Sequence, residues 1–363
     1  MRVEPSQLIA GCVLLSDVWG KSNKPIVPKR TVITEEHITV LHKFMIDNVD
    51  VAAKLHDGEI YTPKPMPAGQ DKKPEVTSQE QNSFEDQYIK TVKTLKKLFT
   101  AWQNNSSIKM PLVRKALLPL FERAIEQNAE VYTLHKYAVK EDYFFHHSVA
   151  VGILSAYLAN KMGYEKGEWL QIGLAGALGD CGMSKMDYSI IERNGPLTFQ
   201  ELQELKKHPT YSYRLVEKTS TITKEVKLAI LQHHERMDGS GYPFGLEQSK
   251  IHMYARIIAV CDTYHAMTSE RNYQGRKSSF QVIEELQKDQ FTKLDHRVVN
   301  IFINSLTSLS IGKKVRLSTG QEGQIVFMEA NQPARPMVKI DESEEIITLK
   351  DNPGIYISDI IGD

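Results

Sequence analysis

The chain has 363 residues, in which 45 basic and 45 acidic side chains cancel, so it offers no broad charged surface of the kind that binds nucleic acid or an anionic membrane. At 41% hydrophobic and 25% charged it has the composition of a soluble protein, with one large domain plus appendages or two to three domains. No run approaches ~20 apolar residues, which excludes a membrane-spanning helix; the three separated cysteines, Cys12, Cys181 and Cys261, form no disulfide framework and point to a reducing cytoplasm.

The segment Ile9-Ala10-Gly11-Cys12 resembles a lipoprotein cleavage box, but MRVEPSQL before it carries Glu4, Pro5 and Gln7 and has no apolar core. Cys12 is therefore read as a buried cysteine of a small domain. Residues 1–61 alternate short apolar runs with turns. Ile26-Val27-Pro28 and Thr31-Val32-Ile33 read as strands, and Glu35 to Phe44 as a helix with Ile38, Leu41 and Met45 at helical spacing, together a small α+β module. Residues 62–83 are rich in Pro, Lys, Glu and Gln, with little to bury, and read as a flexible linker.

Residues 84–308 read as consecutive helices. Leu95, Leu98 and Trp102 form one apolar stripe; Ile153, Leu154, Tyr157 and Leu158 form another that stops at Gly163. Thr198 with Glu201, and Ser278 with Gln281, are capping boxes, and Asp295 is placed to cap the helix carrying Val298, Ile301 and Phe302. From 309 to 363 the pattern changes to β-rich runs, with a hairpin expected in KKVRLSTGQEGQIVFMEA and further strands in MVKIDESEEIITL. The expected class is mainly α: an all-α domain, a small α+β module before it and a small barrel-like β tail after it.

Histidines and aspartates fall at helix ends and on apolar faces of the 84–308 region. His146 and His147 open the helix of Ile153; Asp180 ends LQIGLAGALGD; His208 ends the helix begun at Thr198; His233 and His234 end KLAILQHHE. Asp262 lies among Ile257, Ile258, Val260 and Met267, where an unpaired carboxylate is costly, so it must be paired, protonated or bound to a metal. Taken singly, each such residue is read as a satisfied core group. Several helices each delivering one changes that reading, because mixed imidazole and carboxylate donors suit iron, manganese or zinc. An Asp shared by two ions suits attack of activated water on phosphorus.

The stretch QHHERMDGSGYPFGL, with DYFFHHS, NGPLTFQELQELKKHP, YARIIAVCDTYHAMTSERNY and the last helix following in order, resembles the HD-GYP domain. That family, a branch of the HD hydrolases, contains bacterial phosphodiesterases that open cyclic di-GMP. The resemblance covers roughly 140–306, and the first 60 residues resemble the small module attached to many such proteins. It implies one or two divalent ions (Fe, Mn or Zn) held by His147, Asp180, His208, His233, His234 and Asp262, with Asp180 bridging them at the catalytic centre. It implies substrate contacts from Arg271 and from the loop of Gly241, Tyr242 and Pro243. The implied partners are cyclic di-GMP or a related nucleotide and diguanylate cyclase (GGDEF) domains, with no nucleic acid; a homodimer stays open.

The departures lie at the same place. Where the family reads L-L-H-D-x-G-K, this chain has Gly179 for the histidine and Met183 for the lysine; His265 stands where an aspartate is usual, and Gln274 where a basic residue is usual. Glycine cannot ligate through a side chain and methionine cannot donate to a phosphate. The first metal position then lacks one imidazole while the second keeps its set. His146, Cys181 and His265 are near in sequence, but none stands at the vacant position. Three readings follow: a protein of cyclic di-GMP signalling with weakened or lost hydrolysis, which is favoured; an active phosphodiesterase with an altered first site; and a non-catalytic nucleotide-binding, interaction or structural module.

Overall fold

Ser83 starts the helical part of the chain. Its hydroxyl accepts from the Asp86 amide while the Asp86 carboxylate accepts from the Ser83 amide, a reciprocal cap that opens α2 (Phe84–Gln103). The computed structural model describes residues 1–3, 5–19, 25–43, 46, 48–63, 83–127, 131, 133–191, 195–270 and 276–361. Contacts divide the chain between residues 80 and 81 into two compact units. Phe44, Met45, Arg271, Gln274 and most of the 62–83 stretch lie outside the described residues.

In the N-terminal unit, β1 (Arg2–Val3) pairs antiparallel with β4 (Val49–Asp50), and β2 (Val18–Trp19) with β3 (Pro25–Val27). Helix α1 (Glu35–Lys43) closes a core that includes Leu8, Cys12, Leu14, Ile33 and Leu41. Cys12 is buried, as the sequence suggests. The strand expected at 31–33 is not formed. Arg30 turns the chain at φ 66°, and only Val32 makes a bridge, to Val13.

The second unit continues from α2 with α3 (Met110–Gln127), α4 (Tyr143–Lys161), α5 (Lys166–Leu178), a 3-10 turn over Cys181–Lys185 and α6 (Tyr188–Ile191). Then follow α7 (Phe199–Leu205), α8 (His208–Val216), α9 (Lys224–Gln232), α10 (Met253–Thr268), α11 (Ser279–Asp289) and α12 (His296–Thr307). The expected capping boxes at Thr198 and Ser278 and the Asp295 cap all form. His208 does not end the helix begun at Thr198; it begins a second helix, because Pro209 has no N–H to continue the first and fits the opening turn of α8.

Helix α4 is buried from His146 to Ala159, as a helix that is apolar all round must be. It crosses α5 closely because the crossing is built of small residues. A Cβ on Gly173 would lie 2.8 Å from Ala156 Cβ and 2.7 Å from Phe121 Cε2, so only glycine fits there. This crossing brings His147, near the start of α4, beside Asp180, just past the end of α5.

The chain ends in an antiparallel sheet of β5 (Lys314–Leu317), β6 (Glu322–Phe327), β7 (Met337–Ile340), β8 (Ile346–Thr348) and β9 (Ile357–Ile360), in the order β8-β7-β6-β5-β9. The β5–β6 hairpin is the expected one; β9 is an addition. Val315, Leu317, Ile325, Val338 and Ile340 alternate inward and join the core of the helices. Lys136 Nζ donates to Ile360 O at 2.9 Å, and Arg335 pairs with Glu284, fastening sheet to helices. The fold is mainly α with one small sheet, and among the described residues no helix is long and apolar enough to cross a membrane.

Candidate metal centre

Asp180, His208, His233 and His234 each offer a donor atom, and the four donors lie within 4.8 Å of one another. Asp180 Oδ1 is 3.1 Å from His208 Nε2 and 3.4 Å from His233 Nε2, and the two Nε2 atoms are 3.5 Å apart. Four atoms each ~2.1 Å from one centre would be spaced roughly 3–3.5 Å apart.

The backbone fixes which nitrogen faces inward. His208 Nδ1 donates to Leu205 O and His233 Nδ1 donates to Ile230 O, both at 2.7 Å. Each ring thus turns Nε2, with its lone pair when neutral, toward Asp180. A ring proton held by a carbonyl is the arrangement that orients imidazole for a metal. Burial opposes ionisation of Asp180, but hydrogen bonds and charge from His208 and His233 outweigh it and hold the carboxyl well below the usual range. Burial also opposes protonation of His233, yet Asp180 draws its pKa up. Burial and the neighbouring His233 push His234 well down, so it is neutral. Two rings pre-turned by carbonyls, a neutral third ring and an ionised carboxylate suit a divalent ion.

On the other side of Asp180, His147 Nε2 is 2.9 Å from Asp262 Oδ1 and 3.8 Å from Asp180 Oδ2, and His234 Nδ1 is 3.7 Å from Asp262 Oδ2. Burial raises the Asp262 pKa, but the His147 hydrogen bond and the charges of His234 and His147 drive it far below normal. His147 Nδ1 faces His265 Nδ1 at 3.0 Å and the Tyr143 hydroxyl at 3.3 Å. The structure thus gathers all six sequence-derived histidines and aspartates.

Gly179 adopts ordinary right-handed helical angles, φ −47° and ψ −47°, so its backbone does not require glycine. A Cβ there would sit in normal contact, 3.5 Å from His233 Nε2. The missing side chain is therefore missing at the edge of the cluster. His265 backs His147 from its Nδ1 side. His146 packs on Tyr88, and burial lowers its pKa to about 4. The Cys181 thiol points at Ser212 O, and burial raises it to about 12. Met183 is buried, and nearby Lys185 Nζ is bound to Trp102 O and to Asn105 Oδ1.

The loop after His234 folds over the cluster. Tyr242 stacks on the His234 ring at 4.7 Å, meets His208 edge-on at 6.2 Å and donates its amide to His234 O. Gly241 allows this: a Cβ would lie 2.3 Å from Arg236 N. Pro243 follows through a cis peptide. Glu235, 2% exposed, accepts from the amides of Phe244 and Leu246, both at 2.8 Å. Sequence reasoning missed Glu235 and Tyr143. For Glu235 the only signal was an acid directly after the paired histidines.

The HD domain family matches residues 125–298. A cyclic di-GMP phosphodiesterase of Pseudomonas aeruginosa is 32% identical over 208 residues, 57% of this chain and 50% of that protein. The cyclic di-GMP phosphodiesterase PdeB of Borreliella burgdorferi is 31% identical over 197 residues, 54% of this chain and 52% of that one. The 3'3'-cGAMP-specific phosphodiesterase 1 of Vibrio cholerae is 26% identical over 272 residues, 72% of this chain and 62% of that one. The chain spans about half the length of the first two of these relatives. The HDG"Y"P protein Bd1817 from Bdellovibrio bacteriovorus has a similar fold, with a TM-score of 0.50 at 16% identity over 84% of this chain and 99% of that one. Residues 125–298 thus match the HD domain family, and the fold is similar to that of an HDG"Y"P protein.

Proposed function

We propose that this chain binds cyclic di-GMP, or a related cyclic dinucleotide, beside a divalent ion, and that its phosphodiesterase chemistry is weakened or lost. The observation that carries this reading is Gly179. It stands 3.5 Å (Cβ position to Nε2) from His233, with no backbone reason to be glycine, and supplies no donor. Asp180, His208, His233 and His234 would hold one ion, iron, manganese or zinc. His147 and Asp262 with Asp180 would hold a second only weakly. A divalent ion there supplies Lewis-acid polarisation of a phosphate oxygen and acidifies water. The chain's own part is to keep Asp180 ionised, to aim the two Nε2 atoms and to close one wall with Tyr242. A buried Met183 cannot neutralise a phosphate, so charge developing in the reaction goes unmatched on that side.

The contacts of His147 with Asp262 and Asp180 favour a second reading, an active phosphodiesterase with an altered first site. Phe244 is exposed on the loop beside the centre, which supports docking of a diguanylate cyclase domain there. Elemental analysis and calorimetry with cyclic di-GMP test the main reading. About one ion per chain with measurable nucleotide binding is expected, with both reduced by His208→Ala. A chain that binds neither would overturn it.

A further inference from the structure

Two adjacent lysines at the end of α7 have different surroundings. Lys207 is exposed and paired with Glu204 at 2.6 Å. Lys206 is half-buried, has no carboxylate partner among the described residues, and holds Nζ 5.7 Å from the centre of the Tyr242 ring. That ring stacks on His234, and Lys206 lies two residues before His208. The lysine is therefore anchored at the rim of the centre by the elements that carry the histidines. The other described cations nearby are engaged: Arg236 donates to His233 O and Glu235 O, and Lys185 to Trp102 O and Asn105 Oδ1.

We infer that Lys206 is a phosphate-binding residue of this site, holding a phosphodiester of the bound nucleotide at the Tyr242 rim. This rests on the nucleotide reading above. An ammonium near an aromatic face keeps its three N–H donors, and a half-buried one loses less hydration on meeting an anion than a free surface lysine. The position is also selective. A cation with a carboxylate partner must break that pair to bind phosphate, as Lys207 would; Lys206 does not.

The test is calorimetric binding of cyclic di-GMP to the metal-loaded full chain and to the variants Lys206→Met, Lys206→Arg and Lys207→Met. Methionine keeps an unbranched stem against Tyr242 and removes only the charge, and a melting curve with metal content checks that the fold and centre persist. The expected result is a loss of about tenfold or more in Lys206→Met, with Lys206→Arg within about threefold and Lys207→Met unchanged. Wild-type affinity in Lys206→Met would overturn the assignment and reduce Lys206 to a brace for Tyr242, leaving the nucleotide reading intact. No binding by the wild-type chain would overturn both.

Discussion

Asp180 stands between two groups of donors, and the asymmetry of the site is set around it. On one side two imidazoles are locked by carbonyl acceptors with Nε2 inward; on the other His147 and Asp262 meet each other at 2.9 Å. Asp180→Asn keeps the shape but removes the charge, and metal affinity read by chelator competition is expected to fall at least ~10-fold. The histidines and aspartates themselves were legible in the sequence, because a buried carboxylate needs a partner and a run of helix-end imidazoles needs a reason. Glu235 was not, because its partners are the amides of Phe244 and Leu246, a contact that depends on how the loop turns back rather than on residue spacing.

At the scale of the element, that one carboxylate holds two amides of the loop over the centre. In Glu235→Ala the two amides of Phe244 and Leu246 lose their acceptor, at a cost of about 2–4 kcal/mol in urea unfolding. Amide exchange at these two positions is expected to accelerate more than elsewhere, and unchanged exchange there would show that the loop is held by other contacts. The α4–α5 crossing is the other sensitive element. Gly173→Val forces a side chain into Phe121 and Ala156 and is expected to cost about 3 kcal/mol by the same measurement, with weaker metal binding as the end of α5 that leads into Asp180 shifts. Helix existence was readable from apolar spacing and caps. The break at Lys206–Lys207 was missed because Pro209 both ends one helix and suits the start of the next. Strand β9 was missed because ISDI carries too little alternation to stand out.

At the scale of the whole molecule, the N-terminal unit keeps its own core, and in the second unit one core runs from α2 through α4 to the terminal sheet. Tyr157, fully buried in α4, reports on it, because burial raises its phenol from an ordinary 10.0 to about 12. With the folded value above the unfolded one, this stabilisation is complete below pH 10 and is lost as pH rises through 12. Stability should drop by an order of 1–2 kcal/mol across that window, and less in Tyr157→Phe, in unfolding curves taken along the pH series. The mainly α class and the β-rich tail follow from periodicity alone, whereas the joining of sheet and helices into one core depends on inward side chains whose partners lie far away in sequence. The proposed effect of Gly179 on hydrolysis rests on that core, in which a Cβ at this position would lie 3.5 Å from His233 Nε2. Cyclic di-GMP turnover by the metal-loaded native chain, measured beside the Gly179→His, Met183→Lys double variant, tests this most directly. The expected result is little or no turnover in the native chain and a gain of about 100-fold or more in the variant. Turnover by the native chain at about 1 per second or faster would contradict it.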